Sequence, residues 1–233
     1  MKAKETPRIS RMPPTMIIDS HQHVVAGQRP QHPGEQPGEH HPAGGGETVA
    51  EDSVIEIPDP REMIIHRGRR MRAKVLDILP LSHNVRQLRL KPDSQFSYSP
   101  GQFVEVELGR GINRMYSMAG LAADEELQFH VRLHPYGRAS HVIGEDLKPD
   151  DTVRVRGPYG VSYLRQFHDA PILCVSAGTG LAPLKSLLRG LIDFRMMNPV
   201  HVYVGFMSRE EVYDLEALSG LLALTPAPLC TVT

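Results

Sequence analysis

Apolar and polar residues alternate along several short stretches in the middle of the chain. In 104–108 two valines and a leucine fall on one face and two glutamates on the other, and 127–133 and 153–156 repeat the pattern. Alternation over about 4–8 residues predicts half-buried antiparallel strands. Less regular stretches at 70–79 and 84–91 supply two more strands. With a further strand around Ser117, six short strands that each have one apolar face predict a closed Greek-key β-barrel.

The pattern changes near residue 170 to continuous apolar runs separated by a glycine-containing loop and a segment with helical spacing. A buried strand, a glycine loop, an amphipathic helix and a second buried strand make one βαβ unit, which predicts a partial Rossmann-like parallel sheet. The predicted elements are a strand at 171–176, the loop at 177–183, a helix at 184–193, a strand at 200–206, a helix at 211–222 and a strand at 229–233.

The N-terminal quarter of the chain has a different composition. Pro, Gly, His and Gln dominate 27–46, and such a segment buries too little apolar surface to offset its ordering entropy. We therefore predict a disordered tail and linker over 1–66. The barrel is assigned to 67–167 and the α/β part to 168–233, so that the chain is a multidomain α+β protein.

A histidine pair in this tail suggests a second interpretation. His21 and His23 follow an apolar stretch, and this resembles the HxH signature of amidohydrolase-type metal enzymes. Those enzymes need a barrel of about 250 residues that carries further ligands, and the remaining sequence does not supply one. We expect no metal site here.

Charge and cysteine content exclude several classes of function. The 26 basic and 27 acidic residues leave no basic excess, so nucleic-acid binding is not expected. Cys174 and Cys230 each lie in an apolar run and are interpreted as buried thiols in a reducing compartment. Four cysteines with cluster spacing are absent, so we predict no iron–sulfur cluster in this chain. With no apolar run near about 20 residues and no signal peptide, we expect no membrane span and a cytoplasmic location.

The candidate chemistry begins at Arg114, Tyr116 and Ser117. On a strand, Arg114 and Tyr116 point to one face and Ser117 to the other. Arginine can form a forked contact with a phosphate, tyrosine can stack on a ring system, and serine can hydrogen-bond to a ring nitrogen. This combination suits an anionic aromatic ligand.

Two further segments predict contacts with phosphate groups. A short helix over 139–147 would offer its first N–H groups and the Ser140 hydroxyl to an anion, or Ser140 would simply cap the helix. The glycines of the 177–183 loop would let a pyrophosphate approach the following helix. Just after the second parallel strand, Arg209 could hold a 2′-phosphate, or Glu210 or Glu211 could bind a 2′-hydroxyl, so the choice between NAD and NADP stays open.

The order of five motifs resembles the ferredoxin–NADP reductase superfamily, and within it the reductase components of ring-hydroxylating, naphthalene-type dioxygenases. The motifs are Pro100-Gly101-Gln102-Phe103, Arg114-x-Tyr116-Ser117, Gly137-Arg138-Ala139-Ser140, Gly157-Pro158-Tyr159-Gly160 and Gly178-Thr179-Gly180-Leu181-Ala182-Pro183. The resemblance implies an FAD-binding barrel, with FAD preferred to FMN, followed by an NAD(P)-binding domain. Hydride would pass from NAD(P)H to FAD and electrons onward to a ferredoxin or oxygenase partner.

The same resemblance implies roles for individual residues. Arg114 would contact the flavin phosphates, Tyr116 would stack on the isoalloxazine, and Ser117 would hydrogen-bond near its N5; Tyr116 and Ser117 are the candidate catalytic residues. The other implied cofactor contacts are His130, Val131 and Arg132 at the flavin edge, Gly137, Arg138, Ala139 and Ser140 at its pyrophosphate, and Gly178, Thr179, Gly180, Ser208 and Arg209 at the nicotinamide nucleotide.

Two parts of the family pattern are not found. The cysteines of a ferredoxin domain are absent, and only three parallel strands are predicted from 171–233. We therefore expect a chain that lacks the ferredoxin domain and is truncated at its C-terminus. The alternative function is a flavin-binding fragment without nucleotide-dependent turnover.

Overall fold

A computed structural model describes residues 64–167 and 169–225 in full, together with the backbone of two strands at 16–19 and 228–232. The expected disorder of 27–46 lies outside the described residues, and so do His21, His23 and the side chain of Cys230. Cys174 is buried and its thiol is free, as predicted.

Six antiparallel strands form the barrel, which confirms the predicted fold. They are β2 (Arg69–Pro80), β3 (Val85–Pro92), β4 (Phe103–Glu107), β5 (Asn113–Ser117), β6 (Leu127–Arg132) and β7 (Thr152–Tyr159). Their order in the sheet is β5-β4-β7-β2-β3-β6, so three connections join strands that are not neighbours, as in a Greek key. The apolar positions of the alternating stretches, such as Val104 and Val106, are fully buried in its core.

The barrel is closed at only one end of the seam between its edge strands β5 and β6. There Met118 forms an isolated bridge with Phe129, and the Ala119 N–H donates to the Gln128 carbonyl at 2.8 Å. No ladder joins 114–116 to β6 in the described structure. The unpaired edges leave backbone donors and acceptors available in the open part of the seam.

The second sheet is parallel and has four strands. Three are those predicted: β8 (Ile172–Ala177), β9 (Val200–Gly205) and β10 (Pro228–Val232). With β1 (Met16–Asp19), they lie in the order β1-β8-β9-β10. The fourth strand, β1, lies in the segment that the sequence assigned to the tail, and it pairs with β8 from Met16 opposite Ile172 to Asp19 opposite Val175. In a doubly wound sheet of order 3-2-1-4, β1 occupies the place of the fourth strand.

Helical segments connect the strands. They are α1 (Arg138–His141), which continues into a π-helical turn (Val142–Asp146), a 3₁₀ turn (Gly178–Gly180), α2 (Leu181–Asp193), a second 3₁₀ turn (Arg209–Glu211) and α3 (Leu215–Leu222). Pro183 is accommodated in the first turn of α2 because its missing N–H has no intrahelical acceptor there. None of the helices in the described part of the chain is long and apolar enough to cross a membrane.

The helix predicted to begin at residue 211 begins instead at Leu215. Asp214, which precedes it, has a left-handed backbone with φ of 60°. Tyr213 is buried, and its hydroxyl donates to the Gly178 carbonyl at 3.3 Å. The extended backbone at Val212 and the left-handed Asp214 delay the helix, so that the tyrosine between them reaches the glycine turn.

Helix α2 packs directly against the barrel. The Ser186 hydroxyl donates to the Gly120 carbonyl at 2.6 Å in a fully buried contact. Gly190 lies so close to Pro100 that a Cβ there would come within 2.6 Å of the proline Cγ. This packing fixes the glycine turn at the start of α2 relative to β6.

Candidate flavin and nucleotide site

Strand β5 directs its polar side chains as the alternation predicts. Arg114 lies opposite Val106 and Tyr116 opposite Val104, so both share the face of two buried valines. Ser117 lies on the other face, opposite Phe103. Because β5 is an edge strand, its inner face borders the open part of the seam with β6.

These three side chains keep polar groups available for a ligand. The Tyr116 ring packs against Phe129 with ring centroids 6.2 Å apart, and burial raises the pKa of Tyr116 to about 12, so that its hydroxyl is protonated at neutral pH. Arg114 donates to the Asn113 carbonyl at 2.7 Å, and no carboxylate in the described residues pairs with it. The Ser117 hydroxyl likewise has no hydrogen-bond partner among them.

A cleft lies between the β4–β5 turn and the start of α1. It has a volume of 390 Å³, and Arg110, Tyr136, Gly137 and Arg138 are among the residues that line it. Arg138 donates to the Arg110 carbonyl at 3.4 Å, which leaves most of its guanidinium donors at the cleft. Arg110 faces Asp146 across the same cleft at 3.7 Å, so Arg138 is the arginine with donors left for a phosphate-bearing ligand.

Ser140 has a local structural role in this turn. Its Oγ accepts a hydrogen bond from the His134 N–H at 2.9 Å, and a Cβ on Gly137 would come within 2.7 Å of that oxygen. Gly137 is therefore required for the close approach.

A larger cleft of 520 Å³, lined by Arg72, Glu107 and Arg154 among others, contains none of the predicted site residues.

Strand β6 separates the barrel interior from the α/β part. Phe129 and Val131 are buried in the barrel core, whereas His130 and Arg132 point the other way, towards the glycine turn. The resemblance placed His130 and Arg132 at the flavin edge, but the structure brings their side chains to the residues that follow β9. The alternation of apolar and polar residues in β6 already predicts that His130 and Arg132 point away from Phe129 and Val131.

The Gly178–Gly180 turn joins β8 to α2 as predicted, and Tyr213 supports it. Gly178 has a φ of +52°, which favours glycine. The Tyr213 hydroxyl, which donates to the Gly178 carbonyl, also lies 3.0 Å from His130 Nδ1. Burial, with a smaller effect of Lys185, lowers the pKa of His130 to about 3, so this imidazole is neutral. Its Nε2 is buried without a partner in the described structure.

Arg132 forms the second contact across this junction. Its guanidinium forks onto Glu211, with N···O distances of 3.0 and 2.9 Å, and Glu211 also accepts from the Asn84 amide at 3.3 Å. The hydrogen bond from Arg132 holds the pKa of Glu211 below its ordinary value. Glu211 is thus engaged with Arg132, while Ser208 and Arg209 are exposed beside it.

Sequence reasoning missed Tyr213 and the partner of Arg132. Both contacts join residues about 80 positions apart, and nothing local in the sequence signals them. Among the described residues, no group of three or more His, Cys, Asp or Glu side chains is arranged to hold a metal ion.

Comparison with known proteins decides the identity of the barrel. The model of the oxidoreductase FAD-binding domain family matches residues 72–163. The chain carries an FAD-binding domain of the ferredoxin–NADP reductase type. A reductase component of the naphthalene 1,2-dioxygenase/salicylate 5-hydroxylase systems of a Ralstonia species is 40% identical over 179 residues, which are 77% of this chain and 55% of the relative. The corresponding component from Pseudomonas putida is 38% identical and covers 74% of this chain and 53% of the relative.

Solved structures agree with the assignment of this FAD-binding domain. The Amycolatopsis cytochrome P450 reductase GcoB superposes with a TM-score of 0.67 at 28% identity, covering 73% of this chain and 53% of the other. The ferredoxin reductase of carbazole 1,9a-dioxygenase superposes with a TM-score of 0.65 at 25% identity, covering 73% and 52%. The chain spans about half the length of these relatives.

Proposed function

We propose that the chain is a flavin-dependent oxidoreductase that takes hydride from NAD(P)H onto FAD and passes electrons to an iron–sulfur protein of an oxygenase system. The relatives named above are reductase components of such systems. Bound FAD would supply the conversion of a two-electron donor into single-electron transfers. The protein's task is to hold both cofactors in contact and to exclude water.

The observation that carries this proposal is the position of β6 between the two candidate sites. Phe129 of this strand packs against Tyr116 at the seam. Arg132, three residues further along, lies against the glycine turn. A ring system in the seam and a nicotinamide nucleotide on the turn would therefore lie on the two faces of the same edge strand, so that their reactive ends can meet beyond its edge.

On the flavin side, the available groups fit an anionic aromatic ligand. Arg114 has no acidic partner in the described residues, Ser117 has a free hydroxyl, and Arg138 lies at the cleft beside Gly137. We propose that Arg114 and Arg138 bind the flavin phosphates, that Tyr116 lies along the isoalloxazine, and that Ser117 donates or accepts near its N5. The backbone from Gly137 to Ser140, including Ala139, would border the pyrophosphate.

On the nucleotide side, Gly178, Thr179 and Gly180 would receive the pyrophosphate at the start of α2, a helix of 13 residues. Ser208 and Arg209 are exposed at the end of β9, where doubly wound folds bind the adenosine ribose. Because Glu211 is already paired with Arg132, Arg209 and Glu210 are the residues we propose to test for the choice between NADP and NAD. The cytoplasm is the proposed location, in keeping with the free Cys174 thiol.

The test is an absorption spectrum of the purified chain, followed by anaerobic addition of NADH or NADPH. We expect a flavin band that bleaches with either nucleotide. A flavin band that persists would support the alternative, a flavin-binding module without nucleotide-dependent turnover. Absence of flavin, even after incubation with FAD, would contradict the proposal altogether.

A further inference from the structure

The ion pair between Arg132 and Glu211 occupies an unusual position at the junction of barrel and sheet. Both ends of the guanidinium fork are used, with Nη1 donating to Oε1 at 3.0 Å and Nη2 to Oε2 at 2.9 Å. The two side chains are only 22% and 12% exposed. The pair is thus bidentate and largely shielded from solvent.

The same guanidinium lies directly over the glycine turn. A Cβ on Gly178 would come within 2.6 Å of Arg132 Nη2. Any group that approaches the turn from this side therefore meets Arg132. Phosphate and carboxylate bind arginine with the same forked geometry. Glu211 therefore occupies the position on the Arg132 guanidinium that a nucleotide phosphate would take.

Glu211 also has a second holding point. Its Oε1 accepts from the Asn84 amide at 3.3 Å, in the turn between β2 and β3. A carboxylate that leaves Arg132 can remain near Asn84, so the exchange requires one side chain to move rather than a domain.

We propose that Glu211 is an internal competitor of the nucleotide phosphates, and that Arg132 positions the pyrophosphate over Gly178 once Glu211 has been displaced. The inference rests on the proposed function, because it assumes that NAD(P)H binds at the glycine turn. A purely structural ion pair would have the opposite consequence: loss of the Glu211 charge would loosen the junction and weaken nucleotide binding.

The experiment is calorimetric titration of the full chain, loaded with FAD, with ADP and with NADH. Glu211→Gln keeps the shape and one acceptor oxygen but removes the charge. We expect it to lower the Kd for ADP by about 5- to 10-fold, on the scale of one relieved charge contact near a protein surface. Glu216→Gln, an exposed glutamate on α3 with no part in the proposed site, serves as the matched control and should change the Kd by less than about 2-fold. Arg132→Met should raise the Kd, and adding Glu211→Gln to it should give no gain.

Each outcome separates the two proposals. If the wild-type chain binds ADP and Glu211→Gln binds it equally or more weakly, the competitor role is wrong while the proposed function stands. An equal gain from Glu216→Gln would assign the effect to general charge and would also overturn the role. If neither the wild type nor any variant binds ADP or NADH, the proposed function fails for the nucleotide half, and this inference fails with it.

Discussion

Arg189 on α2 and Asp124 in the loop before β6 form a bidentate ion pair that ties the helix to the barrel. The two N···O distances are 2.6 and 2.8 Å, and Asp124 also accepts from the Leu121 N–H at 2.9 Å. Burial acts to raise the pKa of Asp124, but the hydrogen bonds from Arg189 and Leu121 outweigh it and hold the pKa below its ordinary value. The carboxylate therefore stabilises the fold while it is ionised.

Asp124→Asn should lower the free energy of unfolding at pH 7 by about 1–3 kcal/mol, since it removes a charge-assisted pair but keeps an acceptor for Leu121. A carboxyl with a depressed folded pKa contributes stability above its unfolded pKa of about 3.9 and loses it as pH falls through the folded value. The variant should therefore lose less stability than the wild type on acidification below about pH 4. Urea unfolding at several pH values measures both effects. Glu125→Gln, at the exposed position that follows Asp124, is the control and should change the free energy of unfolding by less than about 0.5 kcal/mol.

The low pKa of buried His130 should make the free energy of unfolding depend on pH at milder acidity than Asp124 does. The pKa of His130 is about 3 in the folded chain because the ring is buried, against about 6.5 when unfolded. Between these values the unfolded state binds a proton that the folded state does not, so stability falls as pH decreases. His130→Asn should reduce the slope of unfolding free energy between about pH 4.5 and 6.5 by up to about 1.4 kcal/mol per pH unit. His141→Asn, exposed on α1, is the control, and an equal slope change in both would contradict the assignment.

Two glycines in helices should respond to alanine in opposite directions. Alanine is favoured over glycine in a helix interior by about 1 kcal/mol. Gly220 on α3 has nothing near its absent Cβ, so Gly220→Ala should stabilise the chain by about that amount. Gly190 on α2 lies against Pro100 and Leu164, and Gly190→Ala should destabilise it by about 1–3 kcal/mol because the packed neighbours must move. Thermal unfolding of both variants compares them directly.

Local pattern was sufficient for most of the fold. The alternation of Val104 and Val106 with Glu105 and Glu107 predicted β4 to within a residue, and the Gly178–Gly180 turn lies between a buried strand and a helix as expected. These features depend on neighbours in sequence. The later start of α3 was missed because the burial of Tyr213 is decided by His130, a distant residue.

The candidate site was predictable in its residue types but not in all of its contacts. Arg114, Tyr116 and Ser117 lie as the strand period requires, whereas the partner of Arg132 could not be predicted because Glu211 is 79 positions away. Strand β1 is the extreme case. Its pairing with β8 joins residues more than 150 positions apart. Three apolar residues and one aspartate in a polar tail do not indicate which strand they pair with.

The flavin assignment itself depends most directly on Arg114. Arg114→Ala removes a forked phosphate contact of about 1.5–3 kcal/mol, so FAD should dissociate about 10- to 150-fold more readily. Measuring the flavin-to-protein ratio after dialysis, and the Kd by fluorescence quenching, tests this. Arg156→Ala is the charge-matched control, because Arg156 is also exposed but lies on the outer face of β7, opposite Arg70. Equal losses in both variants would mean that the overall positive charge of the barrel retains the flavin. Unchanged retention in Arg114→Ala would argue against its assigned role and would favour Arg138 in the cleft beside Gly137, where most of its guanidinium donors are available, as the phosphate contact.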